Sequence, residues 1–121
     1  MGGIKMKILV VDDDLPIQRL YKEELIEEGY EVVVAANGVE AMEMFESENP
    51  DLVTLDIRLP DIDGIQLLRQ MKERRPKIPI IMSTAYDYRD DFSVWASEAY
   101  IVKSSDLAEL KSMVRQLLVK E

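Results

Sequence analysis

A chain of 121 residues, 47% of them hydrophobic, suffices for one domain with one ordinary core. Its 24 acids against 15 bases give a net charge of −9 and leave no basic stripe, which excludes self-sufficient nucleic-acid binding. Cysteine and histidine are both absent, so disulfides, thiolate or imidazole metal sites and phosphohistidine chemistry are excluded. No apolar run approaches the ~18–20 residues of a membrane span and no signal-peptide pattern opens the chain, so no membrane insertion and a cytoplasmic location are expected.

The core is expected over about 5–120, within one domain spanning 1–121. Lys7-Ile8-Leu9-Val10-Val11 reads as a buried strand stopped by Asp12-Asp13-Asp14. Pro16 fits the first turn of helix 1, whose stripe is Ile17, Leu20, Tyr21 and Leu25, with Gly29 as the residue that ends it. Glu24 falls inside that stripe without a local reason. Glu31–Ala35 is the second strand. Asn37 with Glu40 forms a capping-box-like start to helix 2, which turns Ala41 and Phe45 inward and ends at Asn49-Pro50.

Leu52-Val53-Thr54-Leu55 is apolar and β-branched enough for a strand buried on both faces, and it runs straight into Asp56. Asp63 or Gly64 opens helix 3, with Ile65, Leu68, Met71 and Leu67 as its inward residues, stopping before Pro76. Strand 4 is expected over Ile78–Thr84, helix 4 over about Tyr86–Ser97, and strand 5 over Tyr100–Lys103. Ser104, Ser105 or Asp106 caps helix 5, which buries Leu107, Leu110, Val114, Leu117 and Leu118 on one face. Five strands alternating with five helices predict a doubly wound five-stranded parallel sheet, (βα)5, covered on both sides.

In such a sheet the residues after each strand share one rim, where open α/β folds place their ligands. That rim collects Asp12, Asp13, Asp56, Thr84 and Lys103. Three carboxylates and one ammonium sum to −2, an unfavourable cluster that a divalent cation neutralises. Carboxylate and hydroxyl oxygens without soft ligands select Mg2+, with Mn2+ as a substitute. A carboxylate beside such an ion can attack phosphorus to form an aspartyl phosphate, and catalysis is then positioning and charge neutralisation. Asp56 stands alone on the central strand and is the expected attacker. Asp12 and Asp13 are adjacent and suited to sharing the ion. Lys103 and the Thr84 hydroxyl would meet further phosphoryl oxygens.

Val10-Val11-Asp12-Asp13, Leu55-Asp56, Leu59-Pro60-Asp61-Ile62-Asp63-Gly64, Ser83-Thr84-Ala85 and Tyr100-Ile101-Val102-Lys103 together resemble the receiver domain of bacterial response regulators. The likeness covers roughly Lys7 to Lys120. It implies the flavodoxin-like receiver fold and a two-component phosphorelay switch of the single-domain type, without an output domain. Asp56 would take the phosphoryl group from a histidine kinase or a histidine phosphotransfer protein, docked through helix 1 and the 103–106 loop. Such a domain is a phosphoacceptor with slow autophosphorylation from small phosphodonors and slow autodephosphorylation, not an enzyme with a separate substrate. The resemblance further implies Mg2+ on Asp12, Asp13, Asp56 and the backbone carbonyl of Arg58. It makes Thr84 and Tyr100 a switch pair that remodels the face made by helix 4, strand 5 and helix 5. A phosphorylation-dependent homodimer is compatible with it, and the downstream protein target is not specified.

Three positions depart from the family pattern. Ser104 follows Lys103 where proline is usual, and Arg58 and Tyr86 are bulky at positions that influence the lifetime of the phosphoryl group.

Other readings are weaker on the residues. A receiver cut from a longer regulator would carry the same blocks. A haloacid-dehalogenase-type phosphatase wants a second acid two residues after its nucleophile, where Arg58 stands. A flavodoxin-type carrier would have to place a phosphate among three aspartates. A receiver-like interaction domain that no longer accepts phosphate would not need all five rim residues. Asp61-Ile62-Asp63-Gly64 fails as a calcium loop because Leu59 and Gln70 fall at its first and last ligand positions. Pro60 and Gly64 are expected to set the backbone angles of that turn.

Overall fold

The computed structural model describes residues 5–84, 99–102 and 107–118, with the backbone alone for Thr84, Ala99, Tyr100 and Val102. The expected helix over 86–97, Lys103 and the 103–106 loop lie outside the described residues.

The elements run β1 (Lys7–Val11), α1 (Leu15–Glu27), β2 (Glu31–Ala35), α2 (Gly38–Glu48), β3 (Leu52–Leu55), α3 (Gly64–Arg74), β4 (Ile80–Thr84), β5 (Ala99–Val102) and α4 (Ala108–Leu118). The five strands form one parallel sheet in the order β2-β1-β3-β4-β5. The chain steps outward from β1 to β2 and then returns to the other side of β1, so the order reverses between β1 and β3. A crevice forms at such a reversal, at the carboxyl ends of the two strands.

Alternation along the strands divides the core in two. Leu9, Val11, Val53, Leu55, Ile80 and Met82 face α2 and α3, against Ala41, Phe45, Leu67, Leu68 and Met71. Ile8, Val10, Leu52, Ile81 and Ile101 face α1 and α4, against Tyr21, Leu25, Leu110, Val114 and Leu118. Each fully buried Leu or Ile contributes about 1.5–3 kcal/mol relative to exposure, which is why continuous apolar runs form the central strands. Among the described residues, no helix is long and apolar enough to cross a membrane.

Helix ends follow from local chemistry. Asp14 caps α1, its side chain accepting from the Ile17 N–H at 3.3 Å. Gly29 follows the α1 C-cap with φ of 101°; its N–H donates to the Ile26 carbonyl and that of Tyr30 to Leu25. This paired closure needs a left-handed residue, which glycine supplies without a Cβ penalty. Asn49, with φ of 50°, ends α2 in the same region.

Glu24 has a reason after all. Its Oε1 lies 2.6 Å from Lys111 Nζ, and Glu28 meets Arg115 at 3.0 Å, so two ion pairs tie α1 to α4. Strand β4 begins at Ile80, two residues later than expected. Pro79 has no N–H for a ladder, and the Ile78 N–H turns back to the Arg75 carbonyl at 3.0 Å.

Candidate functional site

The acids that follow β1 and β3 meet at the reversal point. Backbone pairing carries both strands to their ends: the Asp12 N–H donates to the Ala35 carbonyl at 3.0 Å, and the Asp56 N–H to the Val11 carbonyl at 3.1 Å. Asp12 is 2% exposed and Asp56 is 6%, whereas Asp13 lies in the open. Carboxylate oxygens of Asp12, Asp13 and Asp56 all lie within 4.8 Å of one another.

Each of the two buried carboxylates is oriented. The Asp14 N–H donates to Asp12 Oδ1 at 2.9 Å, and the Arg58 N–H donates to Asp56 Oδ1 at 3.2 Å. The Gln18 amide bridges the carbonyls of Asp12 and Ala35, at 3.1 and 3.2 Å, which fixes the backbone under the pair of acids. Three carboxylates this close repel one another, and a hard cation relieves that repulsion with donors already in place. The three carboxylates offer hard oxygen donors close enough together to share one divalent ion such as Mg2+. The donor set therefore fits a hard, oxygen-preferring divalent ion.

Thr84 ends the described part of β4, its backbone paired with Val102, and the Tyr100 backbone pairs with Met82 on the edge strand β5. Ser83, the competing hydroxyl beside Thr84, is buried and engaged elsewhere. Its Oγ lies 2.6 Å from the Tyr21 hydroxyl, under α1. Lys103, like Ser104 and Tyr86, lies outside the described residues.

The loop after Asp56 is built as a short hairpin. Arg58 and Asp63 form an antiparallel bridge, and Asp63 caps α3 by accepting from the Ile65 N–H at 2.9 Å. Gly64 is needed for space, not for backbone angle as the sequence suggested. It has no positive φ, yet a Cβ there would lie 2.2 Å from the Asp56 carbonyl oxygen and 2.7 Å from Ile57 Cα. The hairpin tip reaches α2: Asp61 accepts from the N–H groups of Gly38 at 2.8 Å and Val39 at 3.0 Å. Those hydrogen bonds, Gly38 first, hold the Asp61 carboxyl below its ordinary value, with burial opposing. Sequence reading missed this contact. The available signal was that Asn37 can serve only one of the orphan N–H groups at the start of α2.

Comparison with known proteins agrees with this geometry. The family described as "Response regulator receiver domain" matches residues 8–115. Sporulation initiation phosphotransferase F of Bacillus subtilis (strain 168) is 36% identical over 115 residues, covering 93% of each chain. A probable transcriptional regulator ycf27 of Cyanophora paradoxa is 41% identical over 117 residues, 94% of this chain. The chain spans about half of that relative, 48% of its length.

Among solved structures, the response regulator TrrA from Thermotoga maritima, in complex with Mg2+–BeF, is 48% identical with a TM-score of 0.90, covering 93% of this chain and 99% of that one. TrrA in complex with the histidine kinase ThkA superposes with a TM-score of 0.89 at 48% identity, covering 94% of this chain and 99% of that one. With the fold, the acid triad at the reversal point and these likenesses in agreement, the chain belongs to the response regulator receiver domain family.

Proposed function

We propose that Asp56 accepts a phosphoryl group from a histidine kinase or histidine phosphotransfer protein, in a Mg2+-dependent reaction that switches the domain's binding face. The observation that carries this reading is the triad of Asp12, Asp13 and Asp56, with ligand oxygens within 4.8 Å, at the carboxyl ends of β1 and β3. Solved relatives support it, one holding Mg2+–BeF and one bound to a histidine kinase. Receiver domains are phosphoacceptors in two-component signalling, not enzymes with a separate substrate.

Asp12, Asp13, Asp56 and the Arg58 carbonyl would hold Mg2+, or Mn2+ in its place. The ion, when bound, neutralises charge on the phosphoryl oxygens during transfer. The chain's own residues do the rest. Arg58 fixes one oxygen of Asp56 through its N–H, so the carboxylate presents a defined edge to phosphorus. As the new P–O bond forms on Asp56, the donor P–N bond breaks, and the ring leaves as neutral imidazole when its other nitrogen carries a proton. Lys103 would pair with one phosphoryl oxygen and the Thr84 hydroxyl with another. Thr84 and Tyr100 then carry the change to the face made by the 86–97 segment, β5 and α4. Residues of about 5–120 form this receiver unit.

The test is intact-mass measurement after incubation with Mg2+ and acetyl phosphate. The protein gains about 80 Da, one phosphoryl in place of a proton, in a form labile to hydroxylamine. EDTA abolishes the gain, and Asp56→Asn removes it. An Asp56→Asn chain that gains the mass at the wild-type rate shows that the nucleophile lies elsewhere.

A further inference from the structure

The hairpin of residues 58–63 is held at its root and its tip by different means. At the root, Gly64 packs so closely on the carbonyls of Asp56 and Ile57 that no Cβ fits. Arg58 lies on the first arm, opposite Asp63, with its N–H on Asp56 Oδ1. At the tip, Ile62 lies where a Cβ on Gly38 would approach its Cγ2 to 2.3 Å, so glycine at 38 lets the hairpin seat against α2. Asp61 then closes the seat with both carboxylate oxygens, one on each of the first two N–H groups of α2.

The N–H groups at the start of α2 divide between two sources. The Glu40 N–H donates to Asn37 Oδ1 at 2.8 Å and the Ala36 N–H to Glu40 Oε1 at 2.9 Å, both local caps. The N–H groups of Gly38 and Val39 are served from 23 and 22 residues away, by Asp61. Asn37 is a local cap already used by Glu40, and Asp61 is a remote one. The remote one ties the loop that follows the phosphoacceptor to a helix otherwise removed from the chemistry.

We infer that Asp61 is a positioning residue for the metal site. By clipping the hairpin tip to α2, it fixes the backbone of Arg58, and with it the carbonyl that would ligate Mg2+ and the N–H that orients Asp56. This inference rests on the metal-site reading above. Groups that orient a metal ligand act on affinity for the ion, because a ligand free to wander must be ordered at the moment of binding.

The test is calorimetric titration of the unphosphorylated 121-residue chain with Mg2+, which needs no phosphoryl transfer. Asp61→Ala weakens Mg2+ binding about tenfold, the low end of what is lost when such a support is removed. Asn37→Ala removes the other cap of the same helix end and lowers the melting temperature. It leaves the Mg2+ dissociation constant within about twofold of wild type, since it holds nothing in the hairpin. Amide exchange at Arg58 accelerates in Asp61→Ala and not in Asn37→Ala.

Asp61→Asn keeps the shape but loses the charge and an acceptor, so it gives an intermediate loss of about threefold and serves if the alanine variant fails to fold. Folded Asp61 variants that bind Mg2+ as wild type does overturn the positioning role, and so does an equal weakening in Asn37→Ala. A wild-type chain that binds no Mg2+ overturns the metal site itself, and the positioning role with it.

Discussion

The Tyr21 hydroxyl and Ser83 Oγ lie 2.6 Å apart between α1 and β4, with both residues 2% exposed. Sixty-two positions separate them, and they join the helix beside Asp12 to the strand that ends at Thr84. A buried hydroxyl deprived of such a partner loses about 1–3 kcal/mol, while removing both hydroxyls together costs less than the sum. Tyr21→Phe and Ser83→Ala each therefore lower urea-unfolding stability by about 1–2 kcal/mol, and the double variant recovers about 1 kcal/mol of the sum. Strict additivity of the two would show that the hydroxyls do not interact.

Gly29 and Gly64 are required for opposite reasons, and alanine separates them. At Gly29 nothing lies within 4 Å of an added Cβ, so Gly29→Ala pays only for its left-handed φ of 101°. That cost is about 1–2 kcal/mol, with phosphorylation by acetyl phosphate unchanged. At Gly64 an added Cβ meets the backbone of Asp56 and Ile57. Gly64→Ala costs about 3 kcal/mol or more, and because the displaced backbone carries the acceptor, the phosphorylation rate falls as well. Equal effects of the two substitutions on the rate would contradict this assignment.

Asp61 supplies a pH dependence with a definite sign. Its folded carboxyl is held below the ordinary value of 3.8, chiefly by the Gly38 N–H. Unfolding therefore takes up a proton more readily than the native state does. The contribution is complete above 3.8 and is lost as pH falls through the lowered folded value. Thermal melts of wild type and Asp61→Asn differ most near neutral pH, with wild type the more stable, and the gap narrows below about pH 4. A gap that stays constant down to about pH 2 would mean that the carboxylate form is not what α2 holds.

Which parts of this molecule could be read from its sequence follows from the range of the interactions involved. The ends of β1 and β3 were legible because apolar runs stop at Asp12 and Asp56, and a parallel sheet brings strand ends to one rim. The caps at Asn37 and Asp63 were legible because each acts within three residues. The link from Asp61 to Gly38, the Tyr21–Ser83 bond and the Glu24–Lys111 pair were not. Each joins residues distant in sequence, and no periodicity marks one member for the other. Gly64 was legible as a special position, but its reason, the close approach of Asp56 and Ile57, exists only once the hairpin folds back.

The start of α1 offers a surface beside the acid triad. Leu15 is 59% exposed, and with Pro16, Arg19, Leu20 and Glu23 it lines a shallow groove of about 410 Å3. A leucine this exposed suits a partner's helix, and Arg19 adds a charge that can steer the encounter. Under the proposed function that partner is the helical phosphohistidine domain of a kinase. Leu15→Asp places an acid in the first turn of α1, where the helix dipole favours it, so the fold is preserved. Loss of the leucine contact slows transfer from the kinase about tenfold, equivalent to about 1.4 kcal/mol of binding. Arg19→Glu acts in the same direction, and more strongly at low salt. Phosphorylation of both variants by acetyl phosphate stays within about twofold of wild type, because the small donor reaches Asp56 without touching α1. Equal slowing with both donors would place the defect in the chemistry at Asp56, and no slowing with either would move the docking surface off this groove.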